Sequence, residues 1–170
     1  MAFSIRTGRL TRQRVDSMAI RRATLADASG ISALVRGLAG KYIAHELSTE
    51  AANRLLGSME EPAIRGYLAS GYRYHVAEDD GALAGVIAMQ DNRHLYHLFV
   101  AEPFQGQGLA RALWQVTKAA SVEAGNPGVF TVNSSRFAVG LYEKFGFVGH
   151  DEVTDEAGVI HIPLKLDCMT

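Results

Sequence analysis

Residues 95–114, with the sequence LYHLFVAEPFQGQGLARALW, contain the pattern that decides the fold. The first six of these residues are mostly aromatic, β-branched or leucine, which is typical of a strand. From Leu109 onward the apolar residues recur at helical spacing, and Gly106 and Gly108 stand between the two patterns. A helix that begins after a glycine loop offers first-turn N–H groups without an intrahelical acceptor, at the positive end of its dipole. The stretch therefore predicts a strand, a loop and a helix that together bind an anion such as a phosphate.

The residues around the second glycine exclude two common phosphate loops. A P-loop requires a Lys-Ser/Thr pair after its last glycine, and this sequence has Leu109 and Ala110. A dinucleotide fingerprint requires glycine or alanine at position 111, which is Arg111. The remaining pattern, Gln105-x-x-Gly108-x-Ala110, resembles the coenzyme A signature of the GCN5-related N-acetyltransferases, the GNAT family. A plain tight turn between a strand and a helix is the alternative interpretation.

A second motif lies further along the chain. Residues 141–147, LYEKFGF, are similar to the Tyr-x-Lys-x-Gly-Phe ending of the second GNAT motif. With both motifs, the resemblance covers about residues 18–166. It implies an α/β GNAT fold, in which a mixed, mostly antiparallel central sheet is flanked by helices and two parallel strands splay apart at the coenzyme A site.

The order of predicted elements matches that fold. Thr24 and Ser48 are predicted helix caps, and Pro62 suits the first turn of a third helix. A strand reached through a helical crossover runs parallel to the strand before it, so residues 129–132 should pair in parallel with 95–100. The other predicted strands are 19–23, 72–78, 82–90, 147–153 and 159–166, a long helix spans 107–124, and a short one follows Ser134 and Ser135.

Length, charge and cysteine content narrow the class of protein. A chain of 170 residues favours one domain with its own core. A net charge of −1 gives no electrostatic case for nucleic acid or an anionic membrane, and no apolar run approaches the roughly 20 residues of a membrane span.

Cys168 is the only cysteine, so no internal disulfide forms and a reducing cytoplasm is predicted. His94 and His97, three residues apart on a strand, should point to opposite faces, and we predict no metal site.

Residues 1–17 are predicted to be an N-terminal extension, and residues 18–170 the acetyltransferase domain. The extension contains four arginines and no helical or alternating apolar stripe, so it should have little surface to bury. A basic transit peptide is one interpretation, and a dispensable extension is the one we favour. A third is that Ile5, Leu10 and Val15 anchor the segment on a second subunit, which would make the protein a homodimer.

The family resemblance implies where acetyl-CoA, the cosubstrate, would bind. Loop N–H groups would hold its pyrophosphate, and Arg111 would add positive charge. Main-chain groups of Phe99 and Val100 would hold the pantetheine arm as they would hold a peptide strand. Asn133 and Ser135 are candidates for hydrogen bonds to coenzyme A, and the alternative for each is a helix cap. The implied loop residues are Gln105, Gly106, Gln107, Gly108, Leu109 and Ala110.

The resemblance also implies catalytic residues. Tyr142 takes the family position of the general acid, and a phenol with an ordinary pKa near 10 stays protonated at neutral pH and can donate to a departing thiolate. A core tyrosine is the alternative. His94 best matches the position of a glutamate base in some members, and His97 or a water-mediated route could replace it. An exposed turn residue is the alternative for His94. A main-chain N–H near Phe99 or Val100 should stabilise the developing oxyanion.

The sequence thus predicts an N-acetyltransferase that moves acetyl from acetyl-CoA to a primary amine of a small molecule. Acidic residues are expected near the acceptor side and could attract a cation, although solvated helix faces look the same. The alternatives are an acetyltransferase of protein lysines or N-termini and a non-catalytic coenzyme A-binding or sensor module. The acidic residues are Glu46, Glu50, Glu60 and Glu61.

Overall fold

The computed structural model of the protein describes residues 12–169. The strands are β1 (Ile20–Arg22), β2 (Arg73–Asp79), β3 (Ala82–Gln90), β4 (His94–Val100), β5 (Val129–Ser134), β6 (Val148–Gly149), β7 (Val153–Thr154) and β8 (Ile160–Asp167). The helices are α1 (Arg12–Asp16), α2 (Ala28–Tyr42), α3 (Thr49–Gly57), α4 (Glu61–Ala69), α5 (Leu109–Glu123) and α6 (Val139–Lys144). No helix within the described range is long and apolar enough to cross a membrane.

The strands form one sheet in the order β1-β2-β3-β4-β5-β8-β6, with β7 beside β8. All neighbouring strands are antiparallel except β4 and β5, which are parallel. Helices α2 and α4 pack against one part of the core, and α1, α5 and α6 pack against another. The predicted mixed α/β sheet with one parallel pair is confirmed.

Local capping signals place several helix starts where the sequence predicts them. Ser48 Oγ accepts a hydrogen bond from the Ala51 N–H at 3.1 Å at the start of α3. Asp27 Oδ2 accepts the Thr24 N–H at 2.7 Å, which fixes a 3₁₀ turn before α2 begins at Ala28. Pro62 lies in the first turn of α4. These contacts satisfy N–H groups that have no acceptor inside their helices.

Gly85 in β3 lets α5 lie close to the sheet. A Cβ at this position would be 2.9 Å from Leu113 Cδ1 and 3.3 Å from Leu109 Cδ2, both of which are buried. The missing side chain therefore sets the distance of α5, and with it the position of the loop from which α5 starts.

The C-terminal elements differ from the sequence prediction. The predicted strand 147–153 is divided into β6 and β7: the His150 N–H still donates to Pro163 O at 2.9 Å, and regular pairing with β8 resumes only at Val153. Glu152 in this interruption instead accepts two hydrogen bonds of 2.5 Å from Arg136. α6 begins only at Val139, and β5 extends to Ser134 rather than ending at Val132.

The N-terminal segment packs more closely than its sequence predicts. Val15 is only 3% exposed and belongs to the core beneath α5, and Arg14 donates to Asp79 at 3.2 and 2.6 Å. The prediction that this segment has little surface to bury is wrong for Val15, because a single turn of α1 is enough to seat one valine. Ile5 and Leu10 lie outside the described residues.

Replacing Val15 tests whether α1 is part of the packed core. Val15→Ala removes two methyl groups from a buried site and should lower the free energy of unfolding by about 2 kcal/mol. Asp16→Ala, at the exposed next position of the same helix, should change it by less than about 0.5 kcal/mol. Urea denaturation of both variants makes the comparison, and equal, small effects would show that α1 does not pack on the core in solution.

Candidate functional site

A bulge in β4 opens the sheet at its centre. Ala88 of β3 pairs with His97, whereas the next residue, Met89, pairs with Leu95, so Tyr96 is an extra residue in β4. Such an insertion bends the strand and increases its twist. On the other side of β4 only His94 and Leu95 pair with β5, and the two strands part from Tyr96 onward.

The register of β4 shows which backbone groups face this cleft. The Ala101 N–H donates to Ala84 O at 2.9 Å, and residues of an antiparallel ladder alternate between bonding the partner strand and facing away. Phe99 therefore bonds to β3, and the N–H groups of Leu98 and Val100 face the cleft. The ladder engages the Phe99 backbone, so of the two predicted main-chain contacts only Val100 has its N–H on the cleft side, and the Leu98 N–H lies on that side as well.

A cavity of about 840 Å³ follows the cleft. It runs from the loop before α5, along β4, to the facing side chains of α2, α3 and the turn between β7 and β8. The predicted site residues that line it are His94, Phe99, Val100, Gln105, Gly106, Gly108, Leu109, Ala110, Arg111, Asn133, Ser135 and Tyr142.

One end of the cavity is an open cradle of backbone. Gly106 and Gly108 have φ of +73° and +91°, values that side-chain-bearing residues rarely adopt, and a Cβ on either glycine would meet no other atom within 4 Å. The first intrahelical bond of α5 is from the Ala112 N–H to Gly108 O at 3.0 Å. The N–H groups of Leu109, Ala110 and Arg111 thus point to the loop without an acceptor inside the helix. Helix, loop and open space together fit a phosphate group.

Two glutamine side chains hydrogen-bond to backbone carbonyl groups of the loop and of the end of β4. Gln105 Nε2 donates to Val100 O at 2.9 Å and so ties the loop to the end of β4. Gln107 Nε2 donates to Pro103 O at 2.9 Å, and Gln107 does not line the cavity. The sequence prediction treats both as contacts to the cofactor through main chain, whereas their side chains have a positioning role.

Two cations flank the loop. Arg111 Nη2 lies 3.4 Å from Lys144 O, and its guanidinium carbon lies 5.3 Å from the centre of the Phe145 ring. Lys144 also lines the cavity. Sequence reasoning on single residues missed Lys144, although it is the lysine of the Tyr-x-Lys motif.

Tyr142 lies on α6, two residues before Lys144. Its side chain is 5% exposed, lines the cavity and packs against Phe145 and Phe147. No described residue hydrogen-bonds its hydroxyl. Burial raises the pKa of Tyr142 well above the ordinary value of 10, so the phenol stays protonated at neutral and alkaline pH.

His94 is a half-buried strand residue and not an exposed turn residue. Its Nδ1 lies 2.8 Å from Thr131 Oγ1 on β5, a contact that fixes the ring. Burial, and then the nearby His161, lower the pKa of His94 below 6.5, so the imidazole is neutral at pH 7. His161 on β8 lines the same cavity, and no sequence pattern identifies it.

His97 is less suited to accept a proton. Its ring is 4% exposed, and its Nδ1 lies 3.1 Å from the Tyr74 hydroxyl oxygen. Burial lowers its pKa to about 3. A general base works best when its pKa is near the working pH, which favours His94 over His97.

The residues that end β5 have separate roles. Ser135 Oγ accepts the Ala138 N–H at 3.2 Å and so caps the turn before α6. Asn133 is exposed to the cavity, and no described residue hydrogen-bonds its side-chain amide. The Asn133 amide is therefore free to bind a ligand, whereas Ser135 already uses its hydroxyl oxygen as an acceptor and has only its O–H left to donate.

The acidic residues predicted near the acceptor do not reach the cavity. Glu50 pairs with Arg54 at 2.5 Å and Glu61 with Arg65 at 3.0 Å, each across one helical turn. Glu46 and Glu60 do not line the cavity either. Helical spacing and exposed faces account for these residues. In residues 12–169, no group of three or more His, Cys, Asp or Glu side chains could hold a metal ion.

A parallel strand pair that parts beside a glycine loop and a helix start defines this protein as one with an acetyltransferase fold. The family model described as "Acetyltransferase (GNAT) domain" matches residues 43–168, and the chain belongs to this family.

Solved structures share the fold at low sequence identity. A GCN5-related N-acetyltransferase from Rhodopseudomonas palustris is 18% identical, with 87% of this chain and 94% of that chain covered and a TM-score of 0.72. The paia N-acetyltransferase from Thermoplasma acidophilum, in complex with coenzyme A, is 16% identical, with coverages of 88% and 98% and a TM-score of 0.70. YncA from Salmonella typhimurium, with its cofactor acetyl-CoA, is 18% identical, with coverages of 91% and 95% and a TM-score of 0.62. No curated protein matches the sequence.

Proposed function

We propose that the protein transfers the acetyl group of acetyl-CoA to a primary amine of a small molecule. The observation that carries this proposal is one continuous cavity with an anion cradle at one end, backbone N–H groups of β4 along its length and a neutral imidazole near the other end. Incubating the protein with acetyl-CoA and a panel of amines, with detection of the free thiol, tests it. A coenzyme A-binding module without catalysis would bind acetyl-CoA and release no thiol with any amine.

The exposed, unpaired Cys168 agrees with a reducing, cytoplasmic location.

The residues present fit acetyl-CoA. The cradle of Gly106, Gly108 and the first turn of α5 would hold the pyrophosphate, with Arg111 and Lys144 nearby as cations. The N–H groups of Leu98 and Val100 would hold the amide-bearing arm, as a neighbouring strand would be held. Acetyl-CoA supplies an acetyl group activated as a thioester.

His94 would act as the base that makes the amine nucleophilic. When Nδ1 carries the ring proton and donates it to Thr131 Oγ1, the lone pair of Nε2 is free to take a proton from the acceptor. Its lowered pKa keeps this lone pair available at neutral pH. The proton of the attacking amine would thus leave through His94, directly or through one water.

Tyr142 would act as the acid that protonates the departing thiolate. The same burial that raises its pKa would raise the pKa of a thiolate formed beside it, so the hydroxyl is matched to protonate that group. An N–H of Leu98 or Val100 would meanwhile stabilise the negative charge on the acetyl oxygen, since such donors act strongly in a water-poor site.

The coenzyme cradle can be tested at Gly108. Gly108→Glu places a carboxylate where the pyrophosphate should bind, and coenzyme A affinity measured by calorimetry should fall by about tenfold or more. Gly71→Glu is the matched control, because Gly71 has φ of +90° and open space around it but lies in the turn between α4 and β2. It carries the same backbone strain and should leave the affinity unchanged. Equal affinities of both variants and the wild type would remove the cradle from the proposal.

Tyr142→Phe keeps the packed ring and removes only the proton donor. We expect kcat to fall by about 10²-fold with coenzyme A affinity nearly unchanged. Tyr72→Phe, at a tyrosine that does not line the cavity, serves as the control and should keep full activity. A fully active Tyr142→Phe enzyme would show that Tyr142 is only a packing residue.

The role of His94 predicts a specific pH dependence. Its pKa lies below 6.5, so kcat at saturating amine should stay level around pH 7 and fall only as the pH drops well below 6.5, where the imidazole becomes protonated. His94→Gln should lower kcat by about 10²-fold or more and abolish this acid limb. His45→Gln, at a histidine that does not line the cavity, should keep both the rate and the profile. An acid limb that persists unchanged in His94→Gln would assign it to another group.

A further inference from the structure

Two contacts join the opposite walls of the cleft. The Tyr42 ring, at the end of α2, stacks on Phe137 with ring centres 4.6 Å apart and planes 17° apart. The Tyr42 hydroxyl donates to Glu102 Oε1 at 2.6 Å, which ties the stacked ring to the turn directly after β4. Lys41 also binds Glu102. This first contact joins α2 to the segment between β5 and α6.

The second contact joins α3 to the turn between β7 and β8. Arg54 Nη1 donates to Ala157 O at 3.1 Å, and a Cβ on Gly158 would lie 3.4 Å from the Ala51 Cβ, which is ordinary van der Waals contact. Together the two contacts restrict access to the part of the cavity that α2, α3 and this turn enclose. We call this part the acceptor chamber, and it is lined by Leu38, Ile43, Leu55, Met59, Val159 and Ile160.

The acceptor chamber has little negative charge. Among the described residues that line the whole cavity, Asp155 is the one carboxylate. Its Oδ1 accepts the N–H groups of Ala157 at 2.8 Å and Val159 at 3.0 Å, so it also holds the turn together. The cation nearest this wall, Arg54, is paired with Glu50. Asp155 is thus the one carboxylate in the described lining that a second ammonium group could meet, and its Oδ1 is already held by two backbone N–H groups.

We propose that the acceptor is a primary monoamine with an apolar carbon body, which packs against the aliphatic side chains of α2 and α3 while its nitrogen points to His94. This inference rests on the proposed acetyl transfer and names its substrate class. Burying an apolar body is favourable by about 25 cal/mol for each Å² removed from water, whereas an unpaired buried charge is costly. The same chamber favours the neutral amine over its ammonium form. The neutral amine is the form that can attack, because its nitrogen carries a lone pair. Polyamines and lysine-bearing peptides would bring further positive charges, and the described lining offers only Asp155 to pair them.

The wild-type protein provides the first test. The values of kcat/KM are measured with acetyl-CoA for 2-phenylethylamine, hexylamine, spermidine and a lysine-containing peptide. The two apolar monoamines should exceed the other two by about tenfold or more, which is the discrimination that one or two kcal/mol of apolar contact gives. Calorimetry of 2-phenylethylamine with the protein saturated with coenzyme A measures binding to the chamber without turnover.

A charge placed in the chamber provides the second test. Leu55→Glu adds a carboxylate to the lining, and the ratio of kcat/KM for 2-phenylethylamine over 1,4-diaminobutane should fall by about tenfold or more. Leu56→Glu is the matched control, since Leu56 is the next residue on α3 and equally half-buried but does not line the cavity. It should leave the ratio unchanged. If Leu55→Glu does not fold, Ile43→Gln replaces it, and the turnover of hexylamine should fall.

The outcomes separate this inference from the proposed function. Faster acetylation of spermidine or the peptide than of the monoamines would overturn the inference and leave acetyl transfer standing. Binding of 2-phenylethylamine without release of thiol from acetyl-CoA would support the chamber and overturn the proposed function. The absence of both binding and turnover with the monoamines would overturn the inference.

Discussion

The extra residue in β4 is the constraint on which the cleft depends. At Tyr96 the strand turns away from β5, and only His94 and Leu95 keep partners there. Parting two central strands leaves backbone donors without acceptors, an arrangement that folded proteins avoid unless another group satisfies them. Gln105 satisfies one carbonyl, and the remaining groups are those to which we propose that the amide-bearing arm of acetyl-CoA binds. The fold thus leaves backbone groups at the centre of the sheet that a bound ligand could satisfy.

Burial shifts the pKa values of both proposed proton-transfer groups, upward for Tyr142 and downward for His94. Burial disfavours charge, so it keeps Tyr142 protonated and His94 deprotonated at pH 7. Neither residue needs a charged partner to reach this state. His97 shows the limit of the effect, because complete burial carries its pKa too low for exchange of protons near neutrality.

Local patterns in the sequence predict most of the fold. The Gln-x-x-Gly-x-Ala and Tyr-x-Lys motifs indicate the coenzyme loop and α6, and caps such as Ser48 place the helix starts, since these signals depend on a few neighbouring residues. The bulge at Tyr96 has no such signal, and it decides that Leu98 faces the cleft. His161 was missed, and Val15 was assigned to a contact with a second subunit and not to the core, for a related reason: their positions follow from long-range packing, which apolar periodicity over a short window does not report.

The place of β8 in the sheet has a consequence for how the protein is made. Residues 160–167 insert between β5 and β6, although they follow both in sequence, and they carry His161 into the wall of the cavity. The N-terminal part of the chain leaves the ribosome first, so β2, β3 and β4, which are joined by short turns, can pair early. The far wall of the cleft cannot form until β8 has left the exit tunnel. Until β8 pairs, one edge of β5 stays exposed in the nascent chain and the cleft lacks this wall. Pairing of β8 covers the β5 edge and completes the wall of the cavity.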